Sequence, residues 1–265
     1  MQSKLKIGTE IEFVKTLKTI AQAYEEISVI KMQRIRSSVL SARTFLNDLS
    51  TVFTDVTSSY HTEILKLKSH KKLGTDKEKN LMSKNGREIV VLVSSNAKLY
   101  GEIINKVVHR FLFYLAAHKA DNNFDIAIVG RVGKDLFEQS DLKREYNYFE
   151  IPDSNVNIEN IKSLAYFLAN YQKVTVFYGR FINVLTQDAA NTNISGEEEA
   201  LEKISETDHK THYFFEPSLE NILYFFETQV FSLLLKQSLH EAELSRVGSR
   251  LQAMENALVN INKNE

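Results

Sequence analysis

The strongest constraint on this chain is what it lacks. Between Gly8 and Gly74 there is neither glycine nor proline, and the 265 residues contain two prolines in all, Pro152 and Pro217. Average proline usage is about 5%. Gly and Pro are the main interrupters of helices, so so long a stretch without them favours one continuous helix. The apolar positions point the same way. Ile7, Ile11, Val14, Leu17, Ile20, Tyr24 and Ile27 form a first stripe. The stripe shifts phase around residues 31–34, and then Ile35, Val39, Ala42, Leu46, Leu49 and Phe53 alternate steps of four and three. The second run is a heptad seam and requires a partner helix. A helix of about 50 residues reaches roughly 75 Å, too far to lie on one small core.

The partner is expected at the other end of the chain. Pro217 and Ser218 suit a first helical turn. Leu219, Ile222, Phe226, Val230 and Leu233 begin a stripe, which Leu244, Val247, Leu251, Met254, Leu258 and Ile261 continue. Two long seams at opposite ends predict an antiparallel coiled coil. Two core helices of a bundle are the plainer alternative.

The middle alternates in type. Residues 88–95 (EIVVLVSS), 124–130 (FDIAIVG) and 173–181 (KVTVFYGRF) are short apolar runs that suit buried strands. Residues 98–118, 133–139 and 158–172 have helical patterns. Strand and helix in alternation predict a layered α/β domain with a mostly parallel sheet. The predicted fold class is therefore α/β: a long antiparallel coiled coil of the two chain ends, with an inserted Rossmann-like domain. The expected boundaries are 1–60 for the first helix, 61–87 for a charged connector, 88–212 for the inserted domain and 213–265 for the last helix. Within the inserted domain, residues 188–212 read as a polar, acidic surface excursion.

Composition excludes several function classes. The formal net charge of −1 gives no basic field for nucleic acid. There is no cysteine, which removes disulfides, thiolate zinc sites and cysteine nucleophiles. The N-terminus lacks a signal-peptide apolar core, and no apolar run reaches the roughly 18 residues of a membrane span. Three local patterns suggest chemistry only weakly. GRVGKD (130–135) sits between a strand and a helix like a phosphate loop, but Gly130 and Gly133 are too close and Asp135 follows Lys134. A tight strand-to-helix turn explains it better. His209 and His212 have no helix-fixed third ligand and read as solvated. Glu197, Glu198 and Glu199 read as a solvated helix start. No catalytic constellation, cofactor site or metal site is expected.

Five collinear segments then carry a family resemblance. IEFVKTLKTIAQAYEEISVIKMQRIR (11–36) is similar to the opening signature of the γ subunits of F-type rotary ATP synthases, through Ile11, Val14, Ile20, Ala23, Glu25, Lys31 and Met32. DIAIVGRVG with Phe137, RFINVLTQ (180–187), FFEPSLENILYFF (214–226) and RLQAMENA (250–257) are similar to later segments of the same family. Departures stand beside them. The acidic residue of one family segment is Asn96 here, a glycine is Lys98, and the acidic position four before Arg250 is Arg246.

The resemblance implies a non-catalytic rotor shaft with no cofactor of its own. Its partners would be a hexamer of α- and β-type ATPase subunits, an ε-type subunit and, through the inserted domain, a membrane rotor c-ring. Its place would be peripheral, at the cytoplasmic face of the cell membrane. Hexamer-contact and coupling candidates are Tyr24, Glu25, Lys31, Met32, Arg34, Arg246, Arg250 and Met254, with Arg36 as a further cation. The seam would be Ile35, Val39, Leu46 and Leu49 against Leu244, Val247, Leu251 and Leu258. The resemblance also sets Tyr24 near Arg250, and the same antiparallel sum sets Thr9 opposite Glu265. Family members continue beyond this point, so a shortened shaft tip is expected. A hydrolysis-only motor driving motility or transport, and a non-rotary coiled-coil adaptor, are the alternatives.

Overall fold

A computed structural model of the chain describes residues 2–59, 85–118, 124–142, 144–195 and 219–264. Most of the expected connector, the clusters at 197–199 and 209–212, and the Pro217–Ser218 helix start lie outside these residues. In chain order the elements are α1 (Gln2–Ser59), β1 (Glu88–Val93), α2 (Ile103–Ala117), β2 (Phe124–Val129), α3 (Arg131–Glu138), β3 (Asn147–Phe149), α4 (Ile158–Ala169), β4 (Lys173–Phe181), β5 (Gln187–Asn193) and α5 (Leu219–Asn264).

The sheet has the order β3-β2-β1-β4-β5. Four strands are parallel, and β5 runs antiparallel to β4. The central strand, EIVVLV, is apolar on both sides because both faces are covered. Ile89, Val91, Val93, Val174 and Val176 face Leu164 and Leu168 of α4 and Leu235, Leu239 and Ala242 of α5. Val90, Leu92, Ile126, Ile128 and Phe177 face Ile103, Val107 and Phe111 of α2 and Phe137 of α3. The long C-terminal helix is thus part of the α/β core, and the predicted α/β class with a mostly parallel sheet is what the chain adopts.

Two strands depart from expectation. β5 lies inside the stretch expected to be a polar excursion. Its sequence, QDAANTN, has little strand propensity of its own. Pairing with β4 carries it, from Phe181 opposite Gln187 to Thr175 opposite Asn193. Arg110 of α2 adds hydrogen bonds to Ala189 O (3.0 Å) and Asn191 Oδ1 (3.1 Å). β3 is three residues long, too short for a periodic signal. The helix expected from residue 98 begins at Ile103, because Leu99 (φ 68°) and Gly101 (φ 59°) take left-handed conformations that a right-handed helix cannot include.

The helix pair corrects the sequence pattern. Among the described side chains of α1, Val14, Lys18, Ala21, Glu25, Ser28, Met32, Ile35, Val39, Ala42, Leu46 and Leu49 are buried or half-buried, with Tyr24, Lys31 and Arg43 half-buried beside them. The first series is one unbroken seam in four-three alternation, with no phase shift at 31–34. Leu17, Ile20 and Ile27 precede seam positions by one residue, about 100° around the helix. They are 40–47% exposed, and Ile11 is exposed as well. In the first half of α1 the more apolar stripe is therefore a flank. The fully buried seam positions there are the small side chains Ala21 and Ser28.

Candidate functional site

Residues 241–249 of α5 are buried without interruption. A helix enclosed on all sides is ordinarily apolar all round. Here the enclosed stretch contains Glu241, Glu243, Ser245, Arg246 and Ser249. Each charge among them is answered by another element, so the stretch works as a joint between the helix pair and the sheet.

Three arginines form it. Arg43 of α1 donates from Nε to Glu241 Oε1 (2.6 Å) and from Nη2 to the carbonyl of Phe181 (2.8 Å). That side chain ties α1, α5 and the end of β4 together, and the bond to Glu241 raises the arginine's pKa. Arg246 donates from Nη1 to Ser94 O (2.8 Å) and from Nη2 to Asp153 O (3.0 Å). Burial lowers the pKa of its guanidinium, while Asp153, Tyr100 and Glu243 pull it up. It stays cationic, because arginine starts far above neutrality. Arg250 donates to Leu99 O (3.0 Å) and lies 4.0 Å from the Tyr100 ring centroid and 5.4 Å from that of Tyr24. A guanidinium over an aromatic face is worth about 0.5–2 kcal/mol. The Tyr24–Arg250 approach implied by the resemblance is present.

The joint stands where an open parallel sheet ordinarily takes a ligand. The chain runs from β1 to β2 and β3 on one side and then crosses to β4 on the other, so strand order reverses between β1 and β4. Ligands of doubly wound folds bind at the carboxyl ends of the strands at such a point. Here Ser94, just past β1, holds Arg246 instead. Gly101 packs so closely on α5 that a Cβ there would meet Ser249 O at 2.7 Å.

The phosphate-loop-like turn is closed in the same manner. The first three backbone N–H groups of α3 all have partners within the chain. Arg131 N donates to Asn96 Oδ1 (3.1 Å), Val132 N to Ser95 O (2.8 Å) and Gly133 N to Ser94 Oγ (2.9 Å). Gly130, at φ 94°, turns the chain tightly against Ser95. An anion would need those N–H groups free. Among the described residues no group of three or more His, Asp or Glu side chains could hold a metal ion.

The contact candidates divide by where they point. Arg34 and Arg36 face outward, and Tyr24, Glu25, Lys31 and Met254 are half-buried. Met32 is in the seam, packed with Val39, Phe181, Leu244 and Val247, beside Ile35 and Leu251. Leu46, Leu49 and Leu258 are half-buried along the pair. Arg246 is turned inward, because the carbonyls of Ser94 and Asp153 lie beneath it, so it is not a surface cation. Arg43 and Glu241 went unnoticed in the sequence. Each looks like an ordinary charge beside a heptad seam, and only their separation of 198 residues closed in space makes them a pair.

Comparison with known proteins agrees with this architecture. The family model described as ATP synthase matches residues 3–264. The ATP synthase gamma chain of Staphylococcus epidermidis is 23% identical over 272 residues, covering 97% of this chain and 87% of the relative. That of Staphylococcus aureus is 22% identical over 274 residues, covering 98% and 88%. In fold, the chain is similar to one from the central stalk/c-ring of the Tetrahymena thermophila mitochondrial ATP synthase, with a TM-score of 0.58 and 20% identity over 90% of this chain and 99% of that one.

Proposed function

Because this chain belongs to the γ-chain family of ATP synthases, we propose that it is the central rotor shaft that couples rotation to ATP turnover in a ring of partner catalytic subunits. The observation that carries this reading is the uncovered flank of α1. Phe13, Leu17, Ile20, Ile27 and Ile30 are exposed along a helix of 58 residues. Apolar stripes of that extent mark interaction surfaces. The flank is uneven: among the described residues Phe13, Leu17, Ile20 and Ile27 cluster on one side of α1, and fewer, Val29 and Leu40, lie on the other. A shaft with an uneven apolar surface meets the surrounding subunits differently at each angle. Shaft position then biases their conformations, and with them their nucleotide affinities.

The contacts with the hexamer fall to the outward or half-exposed candidates Tyr24, Glu25, Lys31, Arg34 and Met254. The α/β unit is the part that meets an ε-type subunit and a membrane c-ring. The complex is peripheral at the cytoplasmic face of the membrane, and no helix among the described residues is long and apolar enough to cross it. A second reading, a hydrolysis-only motor, draws support from the altered stretch 95–104, where Asn96 and Lys98 depart from the resembled family.

The test is reconstitution with the catalytic subunits. The chain has no cysteine, so a single cysteine at the exposed Phe113 of α2 gives a unique attachment point for a bead. ATP should drive stepwise rotation of that bead on an immobilised hexamer. Failure to copurify with the hexamer, together with no rotation, would overturn the reading. Copurification with a membrane ring separates the synthase from the hydrolysis-only motor.

A further inference from the structure

We propose that Arg246 is a positioning residue that fixes the angle of the α/β unit on the helix pair, so that torque on one is delivered to the other. The torque part rests on the rotor reading above, and the geometry stands without it. The guanidinium is a planar fork with its donors in fixed directions. Nη1 reaches the loop after β1 at Ser94, and Nη2 reaches the loop after β3 at Asp153. These two strands flank β2, so the fork grips the carboxyl edge of the sheet at two separated points. One contact would set a distance, whereas two set an orientation.

The gripped loops form a frame of their own. The Asp153 carboxylate accepts from Asn96 N (2.7 Å) and Ala97 N (2.8 Å). Asn96 Nδ2 donates to Ile151 O (2.7 Å), while its Oδ1 accepts from Arg131 N at the start of α3. An aspartate at position 96 could accept but not donate, so the amide is what laces the two loops together. Glu243, one helical turn from Arg246, receives Asn155 N (3.1 Å) and holds the far side of the second loop.

Stability alone does not account for a buried arginine here. Replacing a buried charge and its partners by well-packed apolar groups is often neutral or stabilising, and buried ionic groups are best attested as devices that fix register. Arg246 is 5% exposed and sits inside the buried run 241–249, whereas Arg43 and Arg250 lie at its margins. The enclosed cation is the one that joins two loops of the sheet to one helix.

The test uses the full chain with two introduced cysteines, F113C on α2 and V259C on α5, both at exposed positions. Spin labels at these sites report the angle between sheet and shaft as a distance distribution. The doubly labelled parent should give one narrow distribution. R246Q should broaden it, and R246K, which keeps the charge but not the fork, should fall between the two. In the reconstituted hexamer, R246Q should keep ATP turnover and lose rotation of a bead on the α/β unit under viscous load. Distributions and load curves identical to the parent's would overturn the proposal. If R246Q does not fold, as judged by its thermal melt, R246K alone decides, and parent-like results in both readouts would again overturn it. The labelling arm needs no hexamer, so failure to assemble counts against the rotor reading and leaves the joint to be judged separately.

Discussion

Ser94 engages three backbone groups with one hydroxyl. Its Oγ donates toward Val129 O (2.8 Å) and Gly130 O (3.2 Å) and accepts from Gly133 N (2.9 Å). Ser94→Ala leaves a buried N–H at the start of α3 without its acceptor. The expected loss is about 1–3 kcal/mol, seen as a lower urea midpoint with an unchanged slope. Tyr171 supplies a pH-dependent case. Burial first, and then its hydrogen bond to Asp125 Oδ2 (2.8 Å), push the phenol up to about 12 from a usual value of 10.0. Between those values the folded state holds a proton that the unfolded state has lost. Stability contributed by this group is therefore complete below about pH 10 and falls as pH rises toward about 12. The ring is only 8% exposed, but its partner Asp125 is no more than half-buried and is also paired with Arg87, which reduces the size of the effect. Tyr171→Phe should flatten the alkaline limb of denaturation midpoints measured across that window. Residues of this kind show how far the sequence could be read. Arg246 looks like a solvated flank because lone arginines are seldom buried. The carbonyls that make it an internal residue belong to positions 94 and 153, far away in the chain.

Elements were more legible than the faces they turn to one another. The strand β4 lies where its apolar β-branched run places it, α1 follows from the absence of Gly and Pro between Gly8 and Gly74, and α5 follows from its apolar stripe in spite of Gly248. Which stripe of α1 is covered did not follow. A long helix with two adjacent stripes offers two possible seams, and the path of α5 across the sheet decides between them. The two stripes respond differently to mutation. Met32 is 6% exposed in the seam, so Met32→Ala should cost about 2–5 kcal/mol as its cavity opens. Ile20 is equally apolar but lies on the flank. Ile20→Ser should stay within about 0.5 kcal/mol of the parent, as surface substitutions do. The same substitution should improve the solubility of the isolated chain and weaken its association with the catalytic hexamer. Melting curves and copurification of the two variants give the comparison. If Ile20→Ser destabilised as strongly as Met32→Ala, the flank would be part of the seam after all.

On the scale of the whole molecule, the α/β unit has the topology of a nucleotide-binding fold while its binding position is filled from within. Strand order reverses between β1 and β4, and α5 crosses that crevice with Arg246 engaged at Ser94. The helix that follows β2 offers no free N–H in its first three residues. A phosphate would have to displace Asn96 Oδ1, Ser95 O and Ser94 Oγ together, and Ser94 O is also an acceptor for Arg246. The purified chain should therefore give no binding heat with millimolar magnesium-ATP and no hydrolysis. Amide exchange at Arg131, Val132 and Gly133 should be unchanged by nucleotide. Heat of binding alone would point to some other surface. Heat together with faster or slower exchange at those three amides would mean that the crevice opens and α5 lifts from the sheet. A shaft must not do that, because each departure of α5 would release the α/β unit from the axis it is meant to turn with. The closure that excludes nucleotide from this fold is thus the same set of contacts that lets it serve as a rigid part of a rotor.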